Sequence, residues 1–587
     1  MIELVRERSM KKRRLPMKLL LVAVNAKYIH SNLAVYSLRA YANKYSAAGH
    51  VALAEYTINH SEEDILRGIY MEKADVIAFS CYIWNFEIIL RVVKELKKVQ
   101  PDAKLWFGGP EVSYDAITCL EKHSELTGIM IGEGEQTFLE VLQHYTEGIR
   151  SLDQIDGIAY REDHQVRMTK SREILELSEI PFPYEEMEDF KNRIIYYESS
   201  RGCPFSCSYC LSSIERTIRF REIGLVKQEL QFLLEQKVPQ VKFIDRTFNC
   251  KKAHAMEIWR FIKEHDNGVT NFHFEISADL LTEEELQLLA SLRPAQVQFE
   301  IGVQTTNSDT VEAIHRKMDL NLLRRNVERI RAGRNIHQHL DLIAGLPFED
   351  YASFERSFQE VYEMKPDQLQ LGFLKVLKGS PMEAASQDYG IIYREHPPYE
   401  VLSTNHLSYE ELLDLKGICD MVEIYYNSGQ FANAIGYLEH FYSSPMKLYE
   451  ELSIFYQNKQ MDRQAHSRMK RYEILSDFFQ EIILQAQPRA EKESGLEVLF
   501  EEILIMDLFL REDMKSRPTF AINHPLKNYK DLYDKLRKEN KLIHIENFTY
   551  DIEAAVAEGI AVKKESTIIF NYSVRDPITK SAGVTIL

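Results

Sequence analysis

Two successive runs of alternating strand-like and helix-like segments restrict the fold of this 587-residue chain more than any other feature. Residues 19–24, after Lys18, form an unbroken apolar run, and residues 32–44 carry Leu33, Tyr36, Leu38 and Tyr41 at helical spacing. Residues 74–81, 103–107 and 128–132 read as strands, with a helix over 86–98. Short buried strands separated by helices of ten or more residues predict a parallel, doubly wound sheet. Ligands of such sheets bind outside the carboxyl ends of the strands. Those ends hold Asn25 and His30, then Ser80, Tyr82 and Trp84, then Gly108-Gly109-Pro110-Glu111, then Gly132-Glu133-Gly134-Glu135. Glycine there permits tight turns and close backbone approach to a ligand.

A second series begins near residue 194, with strands expected over 194–199, 240–244, 271–276, 296–301, 339–343 and 368–373. Six such units fit a partial, six-stranded barrel better than a closed eight-stranded one. Cys203, Asp245, Glu275, Gln304 and Gly345 all fall at the strand exits, the face where barrels do their chemistry. Residues 151–193 read as a connector stiffened by Pro181-Phe182-Pro183. From about 391 the period turns helical. Ser408-Tyr409-Glu410-Glu411 is a capping-box pattern, and a few strands are expected after Leu542.

Seven cysteines in a long chain are not a disulfide framework, yet three of them form Cys203-x3-Cys207-x2-Cys210. Chance would produce that spacing roughly once in a thousand such chains. Zinc wants four ligands, and no further Cys or His stands at finger spacing. A [4Fe–4S] cluster wants one ligand per iron, and a missing fourth leaves one iron open to a small molecule. The loop therefore predicts a cluster. Cys81, Cys119, Cys250 and Cys419 read as small buried hydrophobes.

Composition narrows the setting. With 45% hydrophobic and 27% charged residues the chain is neither disordered nor fibrous. The formal net charge of −17 disfavours sequence-independent grip on a nucleic acid. No apolar run reaches the ~18–20 residues that span a bilayer. Residues 1–16 are basic and lack an apolar core or cleavage site, so they are expected to be a disordered tail ahead of Met17 rather than a signal peptide. A cytoplasmic location follows as the expectation.

The residues 201–210, Arg-Gly-Cys-Pro-Phe-Ser-Cys-Ser-Tyr-Cys, resemble the signature of the radical S-adenosylmethionine (SAM) superfamily. Residues 243–248 (Phe-Ile-Asp-Arg-Thr-Phe), 300–304 (Glu-Ile-Gly-Val-Gln) and 341–347 (Asp-Leu-Ile-Ala-Gly-Leu-Pro) resemble motifs of its later strands. The leading segment, through its two glycine turns, is similar to the cobalamin-binding domain of the B12-dependent class. The C-terminal part resembles the uncharacterised helical extension (DUF4080-like) of one subgroup. The resemblance implies a Rossmann-like cobalamin domain over 17–150, a linker over 151–193, a radical SAM partial barrel of (β/α)6 type over 194–390 and a helix-rich domain over 391–587.

The resemblance also implies roles. Cys203, Cys207 and Cys210 would each ligate an iron, and the fourth iron would chelate SAM. Tyr209 would pack near the adenine. Asp245, Glu275, Glu300, Gln304 and Gly345 would contact SAM. Asn25, His30, Ser80, Tyr82, Trp84, Gly108, Gly109, Gly132, Glu133, Gly134 and Glu135 would line the cobalamin site. The Asp-x-His-x-x-Gly motif that supplies an axial histidine to cobalt in many B12 proteins is absent. The expected activity is an oxygen-sensitive enzyme that cleaves SAM to a 5′-deoxyadenosyl radical and methylates an unactivated carbon. Radical cyclisation or rearrangement, as in the anaerobic porphyrin cyclases, is the enzymatic alternative, and a cobalamin-responsive regulatory protein is the other. The implied partners are a substrate of unassigned identity and an electron donor such as flavodoxin or ferredoxin.

Overall fold

A computed structural model of the chain describes residues 17–46, 51–184, 187–487, 495–514, 517–518, 520–521, 530–538 and 542–587. The expected basic tail over 1–16 lies outside them. The chain divides into two compact units. The first comprises Met1–Glu275, Lys375–Asp388 and Ile392–Val401, and the second Ile276–Leu374, Tyr389–Ile391 and Leu402–Leu587.

The first unit opens with a seven-stranded sheet: β1 (Leu19–Asn25), β2 (Ala52–Thr57), β3 (Val76–Ser80), β4 (Lys104–Gly108), β5 (Gly128–Met130), β6 (Ile158–Glu162) and β7 (Gln165–Met168). Its order is β2-β1-β3-β4-β5-β6-β7. The first five strands run parallel, and β6 and β7 join antiparallel. Every residue of β1 and β3 is buried, as a central parallel strand covered on both faces requires. From β1 the chain crosses to β2 on one side, and from β3 to β4 on the other. A crevice opens at the carboxyl ends of two neighbouring strands whose connections diverge in this way.

Two features of this sheet differ from the sequence reading. Strand β2 is an edge strand with half-buried residues and Glu55 at its middle, so it has no apolar run to betray it. The segment expected to be only a connector supplies β6 and β7. Their two-residue turn, Asp163-His164, has φ of 46° and 66° at its two positions. That left-handed pair suits a tight hairpin, but it lacks the Asn-Gly signature that makes such turns legible.

The first unit continues with β8 (Ile195–Tyr197), β9 (Ser200–Arg201), β10 (Arg219–Phe220), β11 (Gln240–Phe243) and β12 (Asn271–Ile276). Strand β11 pairs in parallel with β8 and β12. β9 and β10 form a two-residue antiparallel clasp, Arg201 opposite Arg219 and Ser200 opposite Phe220.

In the second unit β13 (Val297–Gln304), β14 (Ile336–Ala344) and β15 (Gln368–Phe373) run parallel. Burial alternates strictly along β13 and β14. Within this unit the strand order is β15-β14-β13, and within the first it is β12-β11-β8. One helix of eight to fourteen residues separates each successive pair: Ile223–Glu235, Lys252–Glu264, Glu283–Ala290, Leu320–Gly333 and Tyr351–Glu363 carry most of each crossover. This is the six-unit (β/α) arrangement expected.

Beyond β15 the second unit is helical. Ser408 caps Tyr409–Met421 through the capping box with Glu411. Five fully buried tyrosines, Tyr425, Tyr437, Tyr449, Tyr456 and Tyr472, fill much of the core. Three antiparallel strands close the chain, Ile543–Tyr550, Lys563–Arg575 and Ala582–Ile586. The fully buried Glu502, on the helix Leu496–Arg511, accepts the backbone N–H groups of Thr549 and Tyr550 and ties that helix to the first of these strands. No helix among the described residues is long and apolar enough to cross a membrane.

Candidate functional site

The crevice at the ends of β1 and β3 deepens into a cavity of about 720 Å³. All eleven residues expected to hold cobalamin line it. On the β1 side, Asn25 donates to the His30 carbonyl (3.1 Å) and to Glu55 (2.9 Å), which fixes the strand exit. His30 Nδ1 lies 2.7 Å from the Tyr196 hydroxyl. Burial lowers its pKa from 6.5, and Lys27 and Lys242 lower it further, so the ring is neutral at pH 7.

On the β3 side, Ser80 is followed by Tyr82 and Trp84, whose rings stack with centroids 4.4 Å apart and planes 9° from parallel. The fully buried Asn85 holds this turn. Its amide donates to the carbonyls of Val24 and Ser80, and its side-chain oxygen accepts the Tyr82 N–H. Trp84 remains 45% exposed, so a flat ring system can rest against the pair.

The two glycine turns differ in what they demand. Gly109 has φ 109°, and a Cβ there would stand 2.5 Å from the Cys81 carbonyl oxygen. Gly132, at φ 77°, has no atom within 4 Å of that position, so its bare backbone faces open space in the cavity wall. The cavity thus fits a large planar ligand approached closely by backbone, as a corrin is.

Glu133 and Glu135 line the cavity, but their carboxylates are taken. Arg219 pairs with Glu133, and Arg201 lies 2.8 Å from Glu135, 3.2 Å from Glu133 and 2.7 Å from Glu198. Burial works to raise the Glu135 carboxyl, and Arg201 outweighs it and holds the group below its ordinary range. These ion pairs anchor the two glutamates. Arg201 directly precedes Gly202-Cys203, so this ion network joins the glycine turn to the root of the cysteine loop.

Gly202, at φ 100°, allows the loop to leave the β9–β10 clasp; a Cβ would stand 2.4 Å from the Thr217 carbonyl oxygen. Cys203 and Cys207 are buried, while Tyr209 and Cys210 are half-buried. Cys203 Sγ lies 3.7 Å from Thr247 Oγ1. Burial pushes the Cys203 thiol up, and Cys210 and Cys207, within electrostatic reach, push it further. Among the described residues no three His, Cys, Asp or Glu side chains draw in around a single ion. Three thiols on one short loop suit a cluster in which each would ligate one iron. None of the three, nor Tyr209, lines the cavity, but Tyr114 does, and its pKa is raised by burial and then by Cys210.

The residues expected at SAM are placed as follows. Glu275 lines the cavity. In the second unit Gln304 ends β13 at φ 74°, its Oε1 buried without a hydrogen-bond partner. Gly302 makes room for its amide, since a Cβ there would stand 2.2 Å from Gln304 Nε2. A left-handed, unsatisfied glutamine at a strand exit is the strain found at binding sites. Gly345, φ 86°, directly follows β14, whereas Glu300 lies half-buried at mid-strand. Asp245 is held by the strand beside it. It is fully buried, and its oxygens accept the Ser199 N–H (3.0 Å) and the Ser199 and Ser200 hydroxyls (2.6 Å each). It steadies the strand leading to the cluster loop. Tyr196, Glu198, Arg201, Lys242 and Arg246, which also line the cavity, went unread in the sequence. Their one signal was a run of charged and tyrosyl residues at the exits of β8 and β11.

Family models match the chain in three consecutive stretches: the B12 binding domain over 19–142, the radical SAM superfamily over 197–361, and a protein of unknown function (DUF4080) over 387–570. The chain thus carries a B12-binding match, a radical SAM match and a DUF4080 match, in that order. The cobalamin-dependent radical SAM methyltransferase TokK of Streptomyces tokunonensis is 27% identical over 351 residues, covering 54% of this chain and 49% of TokK. The 2-(S-pantetheinyl)-carbapenam-3-carboxylate methyltransferase of Streptantibioticus cattleyicolor is 25% identical, over 60% of this chain and 57% of its own. The chain thus spans about half the length of these curated relatives. Among solved structures, the cobalamin-dependent radical enzyme OxsB, with aqua-cobalamin and SAM bound, superposes with a TM-score of 0.56 at 16% identity over 84% of this chain and 83% of its own. TsrM of Kitasatospora setae, with cobalamin and a [4Fe–4S] cluster bound, gives 0.54 at 17% identity over 65% of this chain and 82% of its own. These likenesses establish the fold. The B12-binding stretch contains β1 to β5, and the radical SAM stretch begins at the end of β8.

Proposed function

We propose that the chain is a radical SAM enzyme that uses cobalamin as a second cofactor to methylate an unactivated carbon. The observation that carries this reading is the cavity itself. The glycine turns and aromatic stack of the B12-binding domain form one wall, and Glu198, Arg201, Arg246 and Glu275 of the radical SAM strands form another. Similarity to named methyltransferases supports methyl transfer over cyclisation.

When bound, the cluster and SAM supply a hydrogen-abstracting radical and cobalamin supplies a transferable methyl group. Cys203, Cys207 and Cys210 would hold the cluster, each ligating one iron. Tyr82 and Trp84 offer a flat apolar support for the corrin, and the backbone at Gly109 and Gly132 lets it approach. Neutral His30, engaged by Tyr196, lines the same wall. Gln304 and Gly345 contribute a free acceptor and bare backbone for SAM. Fixing reactants at such walls is the protein's main service to a radical reaction, since orientation in place of encounter can supply several kcal/mol. Electrons come from a flavodoxin or ferredoxin on this reading, and the enzyme works in the cytoplasm.

Anaerobic incubation with methyl-labelled SAM and dithionite tests the proposal. 5′-Deoxyadenosine should form, and label should appear on protein-bound cobalamin. Absence of 5′-deoxyadenosine from a cluster-loaded sample would refute it.

A further inference from the structure

The segment Lys375–Asp388 belongs to the first unit although it follows β15, and most of it lies between the radical SAM and DUF4080 matches, which end at 361 and begin at 387. It makes contacts in two directions. On one side the Lys378 ammonium, whose side chain is 22% exposed, stands 3.1 Å from Glu111 and 3.0 Å from Asp115. It also lies over the rings of Phe86 and Tyr399, 5.4 Å from each centroid. The Tyr399 hydroxyl donates to the same Glu111, which is nearly wholly buried. Glu111 closes the turn Gly108-Gly109-Pro110-Glu111, whose first three residues line the cavity.

On the other side the Met382 N–H donates to the Ser208 carbonyl at 2.9 Å, inside the cluster loop between Cys207 and Cys210. Between these anchors Gly379, at φ 78°, packs so tightly on Tyr114 that a Cβ would stand 2.4 Å from its ring. Tyr114 in turn lies within electrostatic reach of Cys210. One short segment therefore grips the cavity-side turn with a half-buried ion pair and the cluster loop with a backbone hydrogen bond.

We propose that Lys378 is a positioning residue: paired with Glu111 and Asp115, it pins this segment as a strap that sets the cluster loop against the Gly108–Glu111 turn of the cavity. Losing the ammonium would leave two carboxylates facing each other, one of them nearly wholly buried, and would free the strap at its base. The mechanical claim stands on the protein alone, and only its purpose, holding cluster and cobalamin at a set separation, rests on the proposed function.

Amide hydrogen exchange of the full chain, without cofactors, tests the strap. Lys378→Met should speed exchange about tenfold or more both in residues 108–115 and in residues 203–210, while the rest of the chain keeps its protection. Lys378→Arg, which keeps the charge, should restore most of it. Should Lys378→Met fail to fold, the near-isosteric Glu111→Gln should loosen the same two segments to a lesser degree. Unchanged exchange at 203–210, or a uniform rise along the chain, would overturn the proposal. After anaerobic reconstitution, Lys378→Met should keep its iron but show a broadened spin–spin interaction between cob(II)alamin and the reduced cluster. If the wild type takes up no cobalamin the proposed function fails, and the exchange experiment still decides the strap.

Discussion

Asp245 offers a sharp test of how the root of the cluster loop is held. Burial pushes its carboxyl from an ordinary 3.8 up to about 6, even though three hydrogen bonds from Ser199 and Ser200 favour the charge. Between those two values the folded chain keeps a proton that the unfolded chain has released. Raising the pH through this window therefore lowers stability, by roughly 3 kcal/mol in all at ~1.4 kcal/mol per pH unit. Asparagine has no proton to lose. It can still accept the Ser199 N–H through its oxygen and turn its amide toward the two hydroxyls. Protection factors for residues 195–202, measured by hydrogen exchange between pH 4 and pH 7, should fall about 100-fold more in the wild type than in Asp245→Asn across that range. Parallel pH trends in the two proteins would refute the reasoning, because they would mean that the buried carboxylate carries no net burial penalty.

Removing Arg201 as methionine leaves Glu133, Glu135 and Glu198 without their shared cation, and should destabilise the first unit by ~3–5 kcal/mol, read as a lowered thermal midpoint. Glu135 is held below its ordinary range by Arg201, so the stability it adds is present above that ordinary value and is lost as pH falls through the folded one. Arg201→Met should flatten this acid limb, which a melting series between pH 3 and pH 7 would show. Gly109→Ala and Gly132→Ala should separate cleanly. The first meets the Cys81 carbonyl at 2.5 Å and should abolish cobalamin uptake in an absorbance titration, whereas the second has free space and should cost only ~1–2 kcal/mol of backbone strain.

The central strands of the first sheet were legible because they are apolar on both faces, and the later parallel strands because buried apolar residues alternate along them. The strand Asn271–Ile276 and the strand Gln368–Phe373 were placed to the residue. Edge strand β2 escaped because half of it faces solvent and Glu55 interrupts it. The cavity wall was legible for a different reason: strand exits in a doubly wound sheet meet at its crevice whatever their side chains, so Asn25, Ser80 and the glycine turns were found together. What side chains do once there was less legible. Glu133 and Glu135 line the cavity as expected, but their pairing with Arg201 and Arg219 was not legible, because those arginines lie 66 to 86 residues away in the chain. The hydrogen bonds that Asp245 accepts from Ser199 and Ser200 were not legible either, since they cross the sheet. The strap at Lys375–Asp388 has no local pattern at all, since its partners at Glu111 and Ser208 are fixed only by the fold.

Counting Fe and Co per chain after anaerobic reconstitution with iron, sulfide and hydroxocobalamin tests the two-cofactor assignment most directly. The wild type should hold about four Fe and one Co, and the Cys203→Ala, Cys207→Ala, Cys210→Ala triple variant should lose the iron while keeping the cobalt. A wild-type chain without iron, or a triple variant that keeps it, would contradict the assignment of those three thiols to a cluster.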